Sequence, residues 1–297
     1  MNTLNEKALL IGKAGITEKD LFNLEIPKDL HQNYLEECKK VDELLTFEGP
    51  TKLRWGKFLT TYTNGTLIPM PYDGNVYEHS LIMTGLAEIC FSEEENLSTK
   101  EKALLKLAAR FHDLGEIKYG DQVYNLKTTD DDEKEKLAIV ELLTRKLHLT
   151  HIPTLLPELF PIIFAAHIHA LSLGFFFHLL EKFGYLNTTI HFAIDQVPNW
   201  QYSVSNAFSN QFPFILKNRN LTCIKYFLQL HKESLTILMR EHSELWSYEN
   251  YLCSLEKVYD HNDREQIISI KKNKGRDLIP ASFESTLNEL QQVLFTQ

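Results

Sequence analysis

The stretch STKEKALLKLAARFHDLGE, residues 98–116, predicts a helix that ends in a group of titratable side chains. Ser98 and Glu101 form a capping box, the pattern that typically begins a helix. Apolar residues then recur at the 3.6-residue period of a helix that buries one face. This predicted helix therefore decides where the titratable side chains at its end are placed.

His112 and Asp113 stand at the end of this apolar run, and Glu116 follows. Residues three and four apart share one face of a helix, so the three head groups are predicted to crowd one end of one surface. Ala108 and Ala109, one turn earlier, leave room for a second helix to approach. An imidazole and two carboxylates in this position are candidates for a metal-binding or catalytic site.

Most of the remaining chain has the same helical period, and the one exception predicts a β-hairpin. Asn64-Gly65 in FLTTYTNGTLIPM, residues 58–70, is flanked by β-branched and aromatic residues, a strong hairpin signal. The predicted fold class is all-α, with a small β-hairpin inserted between Trp55 and His79 and extra helices toward the C-terminus. Helical patterns cover residues 29–47, 78–91, 131–149, 155–185, 188–197, 221–246 and 282–294.

Composition and charge exclude several classes of function. The 297 residues are 43% hydrophobic, enough for a sizeable core, and their net charge is −9. That charge argues against stable binding to nucleic acid or to an anionic membrane. No stretch approaches the roughly 20 apolar residues that span a bilayer. The N-terminus has no basic-then-apolar signal pattern, so a cytoplasmic protein is expected.

The four cysteines stand far apart, and none forms a C-x-x-C pair. This spacing argues against a thiolate zinc site or a disulfide framework. Any metal must then be bound by histidines and carboxylates, and the cysteines are expected to be buried free thiols. They are Cys38, Cys90, Cys223 and Cys253.

Two further side chains complete a candidate ligand set. His79 begins the predicted helix EHSLIMTGLAEICF, and Asp195 lies in the apolar run TTIHFAIDQVPNW, where an ionised carboxylate is costly unless paired or metal-bound. Each alone is more typical of a core histidine or a satisfied cap, and a His-Asp dipeptide is common by chance. Together, two imidazoles and two carboxylates suit Zn, Mn, Fe, Co or Ni.

In combination, these motifs resemble the HD-domain family of metal-dependent phosphohydrolases over roughly residues 40 to 210. The motifs are EHS at 78–80, HDLGE with GD at 112–121, and AIDQ at 193–196. The second motif is similar to that of the 5'-deoxynucleotidase-like branch. The resemblance implies that one divalent metal ion (Mn, Co, Zn, Fe, Ni or Mg) is bound by four ligands. These ligands would be His79, His112, Asp113 and Asp195.

The same resemblance implies a domain division. An HD-type helical bundle would span residues 29–215, after an N-terminal extension at 1–28. Residues 216–297 would form a C-terminal helical extension packed on that bundle. This extension has no counterpart in the family, and is a candidate for a dimerisation element, giving a homodimer, or for a lid.

Five residues match functional positions of the branch. Arg54 and Trp55 in KLRWGKF resemble a pair in which the arginine contacts the phosphate and the tryptophan packs against the base or sugar. Glu116 matches a carboxylate that orients or deprotonates the attacking water. Asp121 matches an acidic residue near the phosphate and leaving group, and Lys127 a lysine common in the branch. Without the family, Arg54-Trp55 is an ordinary half-buried pair and Lys127 a surface lysine.

The implied function is a phosphomonoesterase that acts on a small phosphorylated partner, a nucleotide, through a metal-activated water. Three alternatives remain: a phosphodiesterase or triphosphohydrolase acting on cyclic or polyphosphorylated nucleotides, a di-iron oxygenase, and a non-catalytic nucleotide-binding protein. The segment between Trp55 and His79 is longer than expected for the deoxynucleotidases, which leaves the substrate open. His167 and His169 are candidates for binding a second metal.

Overall fold

The computed structural model is predominantly helical, which confirms the predicted all-α fold class. In the described part of the chain, one isolated antiparallel bridge pairs Leu53 with Asn75. The predicted hairpin at 58–70 lies outside the described residues. The structure describes residues 15–54, 72–120, 129–165, 169–197, 199–247, 249–250, 252–253, 256, 265 and 280–295.

The chain forms two compact units that interleave along the sequence. The first unit comprises Met1–Arg54, Asp73–Gln122 and Lys127–Glu181, and the second comprises Trp55–Tyr72, Val123–Leu126 and Lys182–Gln297. The predicted domain boundaries after residues 28 and 215 stay a prediction.

The helices of the first unit are α1 (Glu18–Asn23), α2 (His31–Glu48), α3 (Val76–Phe91), α4 (Thr99–Phe111), α5 (Glu116–Tyr119), α6 (Thr129–Glu141, continued by a π-helical turn, Leu142–Lys146) and α7 (Leu156–Ile163). Helix α4 is central, because α1, α3 and α7 pack against it, while α2 packs against α1 and α3. The core is aliphatic and aromatic, and Leu105, Leu107 and Ala108 on α4 have no exposed surface.

Side-chain caps fix where the two helices of the candidate site begin. The capping box predicted at Ser98 and Glu101 is present at the start of α4. Asn75 caps α3, because its side-chain oxygen accepts a hydrogen bond from the backbone N–H of Glu78 at 3.0 Å. Each cap satisfies a backbone donor that the first turn of a helix leaves without a partner.

Two buried cations tie α4 to the helices before it. Lys106, on α4, donates to Asp20 on α1 at 2.9 Å and lies 3.3 Å from Glu88 on α3. Arg110, one turn further along α4, contacts Asp42 on α2 at 2.6 Å. These pairs compensate cations that would otherwise be costly to bury.

Helix α8 (Leu173–Ile194) begins in the first unit and ends in the second. The other helices of the second unit are α9 (Trp200–Asn210), α10 (Phe212–Lys217), α11 (Thr222–Leu230), α12 (Lys232–Glu241) and α13 (Pro280–Phe295). Helix α9 packs against α10 and α13, and Phe183 stacks on Phe227 with ring centroids 4.3 Å apart. The helices predicted near 221–246 and 282–294 are present.

The four cysteines are free thiols, as predicted, but only three of them are buried: Cys253 is exposed. Among the described helices, none is both long and apolar enough to cross a membrane. The cytoplasmic location stays a prediction.

Glu37 on α2 holds the segment that precedes α7. Its carboxylate accepts hydrogen bonds from the backbone N–H groups of Thr150 at 2.8 Å, His151 at 3.0 Å and Ile152 at 2.7 Å. Burial raises the pKa of Glu37, but these backbone donors outweigh burial and leave the pKa below its ordinary value. The ionised carboxylate is therefore the form that stabilises the fold.

We expect Glu37→Gln to lower the free energy of unfolding at pH 7 by about 1.5–3 kcal/mol, the range for hydrogen bonds to charged groups. Because the folded pKa is depressed, the stabilisation is present above the unfolded pKa of about 4.5 and is lost as the pH falls through the folded pKa. Denaturant titrations at several pH values should therefore show the two proteins converging in acid. Glu36→Gln, an exposed neighbour on α2, is the control, expected within about 0.5 kcal/mol of wild type.

Candidate metal centre

The candidate centre lies where the end of α4 meets the beginning of α3. His112 directly follows α4, and its backbone N–H donates to the carbonyl of Ala108 at 2.9 Å. His79 lies in the first turn of α3, where its N–H donates to the carbonyl of Asn75 at 3.0 Å. The two imidazole rings face each other, with centroids 5.2 Å apart.

Both imidazoles direct Nε2 at the carboxylate of Asp113. The distance is 3.5 Å from His79 Nε2 to Asp113 Oδ2 and 3.2 Å from His112 Nε2 to Asp113 Oδ1. On the other side of its ring, His112 Nδ1 donates to the carbonyl of Ala109 at 2.9 Å. A carbonyl only accepts, so Nδ1 of His112 carries a proton, and Nε2 is the nitrogen that a neutral His112 ring would offer to an ion.

These three residues fit a metal ion. One ligand atom from each lies within 4.8 Å of the others, and no further group of this kind occurs among the described residues. Ligands bound at about 2.1 Å around a tetrahedral or octahedral ion lie about 3 to 3.5 Å apart. The distances of 3.5 Å from His79 Nε2 to Asp113 Oδ2 and 3.2 Å from His112 Nε2 to Asp113 Oδ1 lie within or near that range. His79, His112 and Asp113 could therefore hold a metal ion.

Arg54 reaches the centre through the backbone pairing at the entrance to α3. Its N–H donates to the carbonyl of Gly74 at 3.0 Å, and the N–H of Val76 donates to the carbonyl of Lys52 at 3.1 Å. The side chain is 7% exposed. Its Nη1 donates to Asp113 Oδ2 at 2.7 Å and lies 3.6 Å from Glu116 Oε2. The guanidinium therefore joins the two carboxylates that the sequence placed together.

The helix that carries His112 ends earlier than the sequence predicts. Helix α4 stops at Phe111, and turns lead to the short helix α5, which begins at Glu116. Gly115 lies in these turns, and a Cβ there would lie 2.9 Å from the carbonyl oxygen of Glu135 on α6. Only glycine lets α6 approach so closely.

Charge at the centre favours an ionised Asp113. Burial alone would raise the pKa of the Asp113 carboxyl, but His112 and Arg54 outweigh burial and hold that pKa well below its usual value. Burial lowers the pKa of His112, whereas the adjacent Asp113 raises it by more, so that the net shift is upward. An anionic carboxylate is the form that binds a cation.

The structure places Asp195 differently from the sequence expectation. The sequence sets it inside an apolar run, but α8 ends at Ile194 and Asp195 lies exposed in the following turn of the second unit. Its assignment as the fourth ligand stays a prediction. His169 lies exposed before α8. The remaining predicted site residues lie outside the described residues: Trp55, Asp121, Lys127 and His167.

Sequence reasoning missed Asp73. This residue is 2% exposed, and its Oδ1 accepts a hydrogen bond from His79 Nδ1 at 2.9 Å. The same oxygen lies 3.9 Å from Arg54 Nε. Asp73 belongs to the loop YDGN, residues 72–75, where it has no periodic spacing to the candidate ligands. Its signal was the Asp-Gly dipeptide, which marks a turn rather than a site.

Comparison with protein-family models identifies the segment that carries these ligands. The model of the HD domain matches residues 76–169. An HD domain is found here. It includes His79, His112 and Asp113, as well as Glu116, and so confirms the family resemblance at the level of the domain. No curated protein and no solved structure matches the chain.

We expect His112→Asn and Asp113→Asn to abolish metal binding by the HD domain or to weaken it by more than about 100-fold, since each removes a ligand. Isothermal titration calorimetry with Mn²⁺ and with Zn²⁺ measures this. His148→Asn is the matched control, because His148 is exposed and its φ of 52° is one that asparagine tolerates. Wild-type affinity in both ligand variants would contradict the assignment.

Proposed function

We propose that this protein is a divalent-metal-dependent phosphohydrolase, and specifically a phosphomonoesterase that releases phosphate from a nucleotide. The observation that carries the proposal is a buried arginine, Arg54, beside His79, His112 and Asp113, the group that could hold a metal ion. HD domains are in general metal-dependent hydrolases. A cation site and a guanidinium side by side suit a substrate that bears more than one negative charge, such as a phosphate ester.

His79, His112 and Asp113 would bind one divalent ion, with Asp195 proposed as a fourth ligand. Such an ion, when bound, lowers the pKa of a coordinated water and neutralises charge on a phosphoryl oxygen. Both imidazoles direct Nε2 at Asp113, so the two histidines and the carboxylate are oriented toward one position before any ion arrives.

Glu116 is proposed to align the attacking water and accept its proton. The residue is 5% exposed, and its Oε2 lies 3.6 Å from Arg54 Nη1, the atom that also bonds Asp113. Glu116 is therefore close to the group that would bind the ion, without being part of that group. A carboxylate in this position is suited to general base catalysis.

Arg54 is proposed to bind the substrate phosphate. A guanidinium presents five N–H donors in a planar fork that matches two phosphate oxygens at once. Its contact with Asp113 fixes the guanidinium beside the proposed metal ligand, so a phosphate bound there would meet both positive charges. From this position, the guanidinium would stabilise a transition state that gains negative charge on the phosphate oxygens.

The choice of a nucleotide as the substrate rests on the sequence resemblance alone. Trp55 follows Arg54 directly and is proposed to pack against the base or sugar. Asp121 is proposed to protonate the leaving alkoxide, and Lys127 to contact the phosphate. A homodimer formed through residues 216–297 is also proposed from the sequence alone.

The proposal is tested by loading the purified protein with Mn²⁺, Co²⁺ or Zn²⁺ in turn and measuring inorganic phosphate released from a panel of nucleotides. We expect release from at least one nucleoside monophosphate, with free nucleoside as the second product. Glu116→Gln should lower kcat by about 10²- to 10⁴-fold while metal affinity is kept. Hydrolysis of cyclic or polyphosphorylated nucleotides alone would contradict the proposed phosphomonoesterase activity. No hydrolysis of any phosphate ester would contradict the proposed phosphohydrolase activity.

We expect Arg54→Lys to lower kcat/KM for the nucleotide by about 10- to 100-fold, because an ammonium cannot form the forked contact. Steady-state kinetics at saturating metal measures this. Arg110→Lys is the matched control, since Arg110 is a buried arginine that contacts Asp42 outside the centre. It should reduce thermal stability and leave kcat/KM within about twofold of wild type. Equal kinetic losses in both variants would contradict the role of Arg54.

A further inference from the structure

We propose that Asp73 is a positioning residue of the metal centre, which holds His79 in the tautomer that presents Nε2 to the ion. The inference rests on the metal-binding part of the proposed function and not on the substrate. It starts from the hydrogen bond of 2.9 Å between His79 Nδ1 and Asp73 Oδ1, both of which belong to buried side chains.

The acceptor decides which ring nitrogen of His79 carries the proton. An ionised carboxylate only accepts hydrogen bonds, so the bond to Asp73 places a proton on Nδ1. The lone pair of a neutral ring is then on Nε2, which lies 3.5 Å from Asp113 Oδ2 on the opposite side of the ring. A histidine that binds a metal through one nitrogen typically donates the other to a carboxylate or a carbonyl.

The position of His79 in its helix explains why a carboxylate is needed. His112 follows the end of α4, where carbonyl groups lack helical partners, and it uses the carbonyl of Ala109 as its acceptor. His79 lies in the first turn of α3, and the first turn of a helix leaves N–H groups without partners, not carbonyls. The acceptor for His79 must therefore come from outside the helix, and Asp73 supplies it.

The backbone at Asp73 agrees with a functional role. Its φ is 52°, in the left-handed region that only a few non-glycine residues adopt, with asparagine and aspartate favoured among them. A capping role does not account for the residue, because Asn75 caps α3. The turn at Asp73 instead brings its buried carboxylate within hydrogen-bond distance of His79 Nδ1.

Asp73 also closes a ring of polar contacts that runs through Arg54, Asp113 and His79. Its Oδ1 lies 3.9 Å from Arg54 Nε, while Arg54 Nη1 donates to Asp113 and His79 Nε2 faces the same Asp113 carboxylate. Loss of Asp73 would therefore remove the acceptor of His79 Nδ1 and one of the carboxylates near Arg54, which would keep its bond to Asp113. The residue acts through these two side chains and is not itself a ligand.

Two variants keep the left-handed backbone and change only the side chain. Asp73→Asn preserves the shape and one acceptor oxygen, and Asp73→Gly removes the acceptor without strain at positive φ. Calorimetric titration with Mn²⁺ alone should show a Kd about 10- to 100-fold weaker for Asp73→Gly, with a smaller loss for Asp73→Asn. Glu78→Gln is the matched control, because Glu78 is acidic, lies next to His79 and bonds the N–H of Gly74 instead. It should bind Mn²⁺ within about twofold of wild type.

The tautomer itself supplies a readout that a merely structural role would not move. Long-range ¹H–¹⁵N spectra of the metal-free protein, in mildly alkaline buffer where a free imidazole is neutral, should show His79 protonated on Nδ1 in wild type. The Asp73→Gly spectrum should gain the Nε2-protonated form. The His79 signal is identified by its loss in His79→Gln.

The outcomes separate the two proposals. An Nε2-protonated His79 in the wild type, or wild-type affinity for Mn²⁺ in a folded Asp73→Gly, would overturn the role of Asp73. If Asp73→Gly fails to fold, Asp73→Asn is used instead. A wild-type affinity for Mn²⁺ in Asp73→Asn, or a wild-type His79 spectrum, would then overturn the role of Asp73. If wild type binds no metal, the proposed function fails, and the wild-type spectrum still tests whether Asp73 fixes the tautomer.

Discussion

The contact of 2.7 Å between Arg54 Nη1 and Asp113 Oδ2 is the interaction on which the centre depends. Asp73, Asp113 and Glu116 bring three carboxyl groups into one largely buried region, and like charges cannot be buried together without a cation. Arg54 supplies that cation, because its guanidinium lies within 3.9 Å of all three carboxylates. Removing one partner of a buried ion pair costs about 3–5 kcal/mol, so the guanidinium is a condition for the fold of the site as well as a candidate for substrate binding.

Arg54 and a metal ion can share Asp113 because a carboxylate has two oxygens with about four lone-pair positions. Arg54 donates to Oδ2, which also lies 3.5 Å from His79 Nε2, while Oδ1 lies 3.2 Å from His112 Nε2. The guanidinium then fixes the orientation of a ligand that would otherwise rotate. This sharing of one carboxylate would allow the candidate site to be ordered without an ion, and for this reason Arg54 and the candidate ligands must be considered together.

The parts of the site that follow helical rules could be predicted from the sequence, and the parts that depend on irregular backbone could not. The capping box at Ser98 gave the start of α4, and the apolar period placed His112 at its end. Asp73 escaped notice because a left-handed turn brings it to His79, and no sequence period describes such a turn. Asp195 was expected to be buried because its neighbours are apolar, but the helix ends one residue earlier. Nor does the sequence show that Gly115 allows α6 to approach the turn before Glu116.

The two helix ends at the centre also act electrostatically, and in opposite senses. Helix α4 ends at Phe111, and the partial negative charge at its C-terminus favours a cation beside His112 and Asp113. Helix α3 begins at Val76, and the partial positive charge at its N-terminus favours the carboxylates of Asp73 and Glu78. A cation beside His112 and Asp113 would thus be favoured by α4, and Asp73, the acidic partner of His79, is favoured by α3. A chain that brings these two ends together has already arranged a cation site with an outer carboxylate, before any individual ligand is chosen.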